Sequence, residues 1–152
     1  MNFITCGSAI KLKLVEGNAS PYLLHSAAFN WGTGSGQQVV SLIRKTEASE
    51  KTTLWQIQES HNAINCINGQ PIRCGDMVRF MHLSTKKFLH THNVASILSS
   101  DGKEVSAFGD GKTDGDNGDN WTVVCDGEFW IKGEDIKLKH VLTGSYLTRS
   151  VL

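Results

Sequence analysis

One phrase occurs three times in this chain: Gly7-Ser-Ala-Ile-Lys-Leu-Lys-Leu14, Gly75-Asp-Met-Val-Arg-Phe-Met-His82 and Gly133-Glu-Asp-Ile-Lys-Leu-Lys-His140. Each runs glycine, two variable residues, a β-branched apolar residue, a basic residue, a large apolar residue and two further strand-like positions. Side chains alternating with a period of two mark a strand with one buried face. A single short strand–turn unit cannot bury that face alone, so its copies must pack around a shared core. The repetition predicts an all-β domain with pseudo-threefold organisation.

Shorter echoes follow each phrase. Tyr22-Leu-Leu-His25, Lys87-Phe-Leu-His90 and Ser145-Tyr-Leu-Thr148 occupy similar places, Gln38-Val-Val-Ser41 answers Glu104-Val-Ser-Ala107, and Trp55-Gln-Ile57 answers Trp121-Thr-Val123. The chain reads as one domain, 1–152, of three units at about 3–68, 70–127 and 129–152. Each complete unit is four short strands joined by turn-rich loops. The third opens on schedule, but its closing tryptophan strand would fall past Leu152, so it is expected to be incomplete at the C-terminus. Gln37–Trp55 contains helix formers; its match to Glu104–Phe108 predicts a strand instead. The tail Lys45–Thr53 has no apolar stripe and is expected to be a solvated loop.

Fifteen basic and fifteen acidic side chains cancel, leaving no global field to attract nucleic acid or an anionic membrane. No apolar run approaches the roughly 20 residues that span a bilayer, and no secretory signal is visible ahead of the first strand. The four cysteines, at 6, 66, 74 and 125, include no Cys-x-x-Cys pair, which argues against zinc knuckles and redox motifs. Cys6 and Cys74 immediately precede strand-opening glycines, and Cys66 and Cys125 lie near the ends of the first two units. Disulfides Cys6–Cys66 and Cys74–Cys125 are therefore expected; four buried thiols in a reduced compartment are the alternative.

Thr5-Cys-Gly-Ser8, His25-Ser26, Gly34-Ser-Gly-Gln-Gln38, Pro71-Ile-Arg-Cys-Gly75, Leu89-His-Thr-His92, Glu104-Val-Ser-Ala-Phe-Gly109 and Asn120-Trp-Thr-Val-Val-Cys125 resemble the signature phrases of MIR domains. The order and gaps are most similar to the stromal cell-derived factor 2-like family. MIR modules also occur in protein O-mannosyltransferases and in the inositol-trisphosphate and ryanodine receptors. The resemblance implies a β-trefoil of three MIR repeats, six barrel strands capped by three hairpins. It further implies a protein of the endoplasmic-reticulum lumen, working in quality control with an Hsp70-type chaperone, a J-domain co-chaperone and unfolded clients. Family members usually carry a signal sequence and many end in a retrieval tetrapeptide, whereas this chain closes Thr148-Arg-Ser-Val-Leu152.

The residues offer little for catalysis. Gly32-Thr-Gly-Ser-Gly36 lacks the lysine of a phosphate loop, and there is no nucleophile elbow. A non-catalytic binding module without cofactor is expected. His90 and His92 would share a face of an extended strand, but zinc needs three or four converging ligands. Partner binding or hydrogen bonding to loop backbone is expected there, with no metal. The acidic loop Asp110–Asp119 departs from the helix–loop–helix calcium pattern and reads as a solvated hairpin tip. Asn30, Trp31, Gln37 and Gln38 combine an aromatic face with amides, as a sugar site does. The alternative is that Trp31 packs over the barrel mouth. Two glycosylation sequons, Asn18-Ala-Ser20 (followed by Pro21) and Asn120-Trp-Thr122, are too short to add weight. The expected function is binding in lumenal protein folding, with partners that include mannosyl glycans. The rivals are the lumenal module of an O-mannosyltransferase and a mannose-binding lectin.

Overall fold

Trp55 and Ile57, two apart on one strand, and Trp121 and Val123, two apart on another, all turn inward and are at most 1% exposed. The computed structural model describes residues 2–62, 66–96, 102–110 and 114–149. Among them are ten strands: β1 (Ala9–Ile10), β2 (Lys13–Leu14), β3 (Tyr22–Asn30), β4 (Gln38–Arg44), β5 (Trp55–Glu59), β6 (Met77–His82), β7 (Lys87–Ala95), β8 (Lys103–Phe108), β9 (Trp121–Val124) and β10 (Lys137–His140). They pair antiparallel in one curled sheet, ordered β1-β5-β6-β7-β8-β4-β3-β2, with β9 on β6 and β10 on β9. The fold is all-β.

Register decides what meets in the core. β5 and β6 set Ile57 opposite Phe80 and Trp55 opposite His82. β9 and β10 set Val123 opposite Leu138 and Trp121 opposite His140. Burial of each large apolar side chain contributes about 1.5–3 kcal/mol relative to exposure, so these facing pairs add substantially to the stability of a core that also holds Val78, Leu89 and Trp130.

Gly7, Gly75 and Gly133 share a left-handed backbone, with φ of 87°, 98° and 87°, a conformation that costs a residue bearing a Cβ. The turn it makes aims the Gly7 N–H at the Ile57 carbonyl (2.8 Å) and the Gly75 N–H at the Val123 carbonyl (2.7 Å). Each of these two phrases is thereby latched to a strand that opens on a core tryptophan. Cys6 is bonded to Cys66 and Cys74 to Cys125, with Cα atoms 5.6 and 5.2 Å apart.

The tail after β4 differs from the solvated loop expected. It forms a 3-10 turn at Lys45–Glu47 and a single α-helical turn, α1 (Glu50–Thr53), and Thr53 is fully buried with its hydroxyl donating to the Ser49 carbonyl (2.7 Å). No apolar stripe is needed because the tail is anchored by a polar contact: the Thr52 carbonyl accepts from His82 Nε2 at 2.9 Å.

Candidate functional site

Two matching assemblies support the surface. Trp55 donates its indole N–H to the Leu24 carbonyl and Trp121 to that of Leu89. His82 packs on Trp55 and His140 on Trp121, with ring centroids 4.8 and 4.7 Å apart. Each imidazole donates from Nε2 to a carbonyl, Thr52 or Gly118, and accepts at Nδ1 from a hydroxyl, Thr85 or Thr143. One donor and one acceptor satisfy the neutral ring. Burial holds both pKa values below the ordinary 6.5, and His90 and His92 push His140 further down. His25 is also lowered, by burial and then by His82.

Above the His140 assembly lies the first candidate cluster. β7 carries His90 and His92, whose rings meet at 4.5 Å, nearly edge to face. Opposite them the chain forms a 3-10 turn, Asn117–Asp119, closed by a reciprocal cap. Asp116 accepts from the Gly118 N–H (2.8 Å), and Asp119 Oδ2 accepts from the Asp116 N–H (2.9 Å). Asp119 is fully buried, and its Oδ1 accepts from His90 Nδ1 at 2.8 Å. The Asp116 carboxylate lies 3.5 Å from His90 Nδ1 and 3.6 Å from His92 Nε2.

This corrects the reading of Asp110–Asp119 as a solvated tip. Residues 111–113 lie outside the described residues, but 114–119 fold back onto the sheet. Asp114 meets His61 Nδ1 (3.0 Å) and Arg79 Nη2 (3.3 Å), and Arg79 is itself buried. The loop contributes carboxylates to histidines that are distant in sequence, so spacing alone could not reveal the cluster. Asn120 of the second sequon is 8% exposed, and its side-chain oxygen accepts from the His61 N–H (2.7 Å), so it too is turned inward.

The second candidate group lies at the β3–β4 hairpin. Asn30 is exposed and pairs with Gln38 across the hairpin. Trp31 is half-buried, its indole N–H donating to the Val105 carbonyl at 3.2 Å. Gln37 accepts from the Ser106 hydroxyl (2.6 Å). Gln38 is buried, with its amide donating to Ser26 and Thr85. Both glutamines are thus engaged internally, and Gln38 is withdrawn from any ligand. Phe29, 55% exposed beside Asn30, is an exposed aromatic that sequence patterning did not single out. Trp31 also lines an open cleft of about 1750 Å³, bounded by apolar side chains that include Leu12, Leu14, Leu42, Ile136 and Leu147. The structure does not merge the two groups into one site: His90 and His92 face the capped turn, while Trp31 lies on the cleft.

Residues 14–124, which hold both groups, match the family model described as the MIR domain. The chain belongs to the MIR domain family. This MIR domain is 38% identical over 148 residues to stromal cell-derived factor 2 of Mus musculus, covering 97% of this chain and 66% of that protein. It spans 62–66% of the length of the curated relatives it matches. Its fold is similar to the crystal structure of the SDF2-like protein from Arabidopsis thaliana (TM-score 0.83, 32% identity, 95% of this chain and 76% of that one). It is also similar to part of the S. cerevisiae protein O-mannosyltransferase Pmt1-Pmt2 complex bound to the sugar donor (TM-score 0.78, 27% identity, 95% and 20%). Among the described residues no helix is long and apolar enough to cross a membrane.

Proposed function

We propose that this MIR domain is a non-catalytic binding module of the endoplasmic-reticulum lumen, serving protein folding and quality control alongside an Hsp70-type chaperone, a J-domain co-chaperone and unfolded clients. The observation that carries this is the identity to stromal cell-derived factor 2, which runs through 97% of the chain rather than through one motif. Two disulfides fit an oxidising compartment.

The architecture behind this reading is a β-trefoil of three units, at about 3–68, 70–127 and 129–152, the last of them incomplete. Leu14 supports it. It stands seven residues after Gly7, as His82 does after Gly75 and His140 after Gly133. His82 and His140 each pack on the tryptophan of the preceding unit, whereas Leu14 lines the cleft. The cleft therefore lies where the closing strand of a third unit would pack.

Affinity capture from lumenal extract with the intact, disulfide-bonded protein, read by mass spectrometry, tests the functional reading. Recovery of an Hsp70 and a J-domain protein is expected; recovery of neither counts against it. The likeness to the Pmt1-Pmt2 complex favours a second reading, a lumenal module that engages mannosyl glycans. A glycan array with a Trp31→Ala control tests that one, and an identical blank for both proteins removes it.

A further inference from the structure

We propose that His90, His92 and Asp116 form a binding site for a divalent transition-metal ion of the zinc class. One donor atom from each of the three lies within 4.8 Å of the other two. Two imidazoles and a carboxylate are a donor set that Zn2+ and its neighbours in the series accept while keeping a fourth position open. Ca2+ and Mg2+ prefer oxygen ligands throughout, so the two nitrogens select against them. With bonds of about 2.0–2.1 Å, a tetrahedral ion sets its donors about 3.3 Å apart. His92 Nε2 and Asp116 Oδ2 are 3.6 Å apart, a few tenths of an ångström from that edge.

His90 supplies the second, independent observation. Its side chain is 1% exposed, and its Nε2 has no hydrogen-bond partner among the described residues. A buried polar atom without a partner is costly and calls for an explanation. Asp119 accepts from Nδ1, which places the proton there and the lone pair on Nε2. A carboxylate on one imidazole nitrogen with the other left for a metal is the usual outer-shell arrangement of a histidine ligand; Asp116, whose carboxylate now lies 3.5 Å from the same Nδ1, would turn toward Nε2 to complete the site. The reciprocal cap holds Asp119 rigidly for that role.

The surroundings keep the site open. A Cβ on Gly118 would fall 2.5 Å from His90 Cε1 and 2.9 Å from His92 Nε2, so glycine is what leaves space beside the donors. The side chains of His92 and Asp116 are 43% and 42% exposed, which lets an ion and a fourth ligand enter from solvent. The inference stands apart from the chaperone reading, because it concerns only these four side chains and the glycine between them.

The test is titration of the chelator-stripped, disulfide-intact protein with Co2+ and then Zn2+, followed by calorimetry and visible absorption. One equivalent of Co2+ should bind with the d–d bands of a four-coordinate site, and Zn2+ should displace it. His92→Ala and Asp116→Asn should each weaken Zn2+ at least tenfold. His61→Ala, on the neighbouring Asp114, should leave the affinity unchanged. Asp116→Asn keeps the oxygen that accepts the Gly118 N–H, and circular dichroism confirms its fold, so that variant decides the matter should His92→Ala fail to fold. Absence of a one-equivalent Co2+ complex, or wild-type affinity in the folded variants, overturns the proposal.

Discussion

The imidazole of His82 stands edge-on to the indole of Trp55, ring centroids 4.8 Å apart, and is held there through both of its nitrogens. Thr85 donates to it and in turn accepts from the amide of Gln38, so a core ring contact is wired to the β3–β4 hairpin. Replacing His82 with alanine removes the ring packing and strands the Thr52 carbonyl. We expect His82→Ala to lower the unfolding free energy by about 2–4 kcal/mol, with a similar loss for His140→Ala. Urea denaturation measures it; a change below about 0.5 kcal/mol, the usual range for surface substitutions, would show that the ring is not structural.

Acid should destabilise the protein through the same two residues. Burial keeps the folded pKa values of His82 and His140 below 6.5, near which the unfolded chain titrates. As pH falls through 6.5 toward the lowered folded values, the unfolded state binds more protons than the folded one. Stability is therefore complete above about pH 6.5 and declines below it. Thermal melts between pH 7.5 and pH 5 should show a falling midpoint, and removing both imidazoles should lessen that slope, with His25 also contributing to it.

Reduction should be costly. The disulfides close loops with sequence separations of 60 and 51, and the chain-entropy model assigns about 4 kcal/mol to each loop of that size. Melting with and without reductant, and of the Cys74→Ser/Cys125→Ser double variant, should show a substantially lower midpoint in both cases. Equal midpoints would mean that the bonds do not constrain the unfolded chain.

Arg79 anchors the 114–119 segment to the sheet. Its buried guanidinium donates to the Glu59 carbonyl (2.7 Å), pairs with Asp114 and lies 4.3 Å over the Phe88 ring. Arg79→Ala should cost about 2–3 kcal/mol, and Arg79→Lys should recover little of it, because a point ammonium cannot reproduce the fork. Hydrogen exchange should locate the loosening at the amides of 114–119; protection unchanged there would refute the anchoring role.

Legibility in the sequence followed the range of the forces involved. The glycine phrases, the echoing tryptophans and the alternation on β5, β6, β9 and β10 are local patterns, and local patterns write themselves into spacing. The His90–His92 pair was visible for the same reason. Asp116 and Asp119 were not: they come from a loop whose composition resembles any solvated turn, and only folding against β7 makes them partners of the histidines. Gln38 misled in the opposite sense. A glutamine beside an aromatic reads as a ligand contact, but strand pairing turned its amide inward to Ser26 and Thr85.

By itself the sequence determined that this protein is a strand-built domain of the MIR type, because apolar periodicity and glycine turns act within a few residues. The tertiary structure alone decided which polar groups meet. Hydrogen bonds and carboxylate–imidazole contacts have a reach of a few ångströms, and only the pairing register of the sheet brings residues dozens of positions apart to that distance.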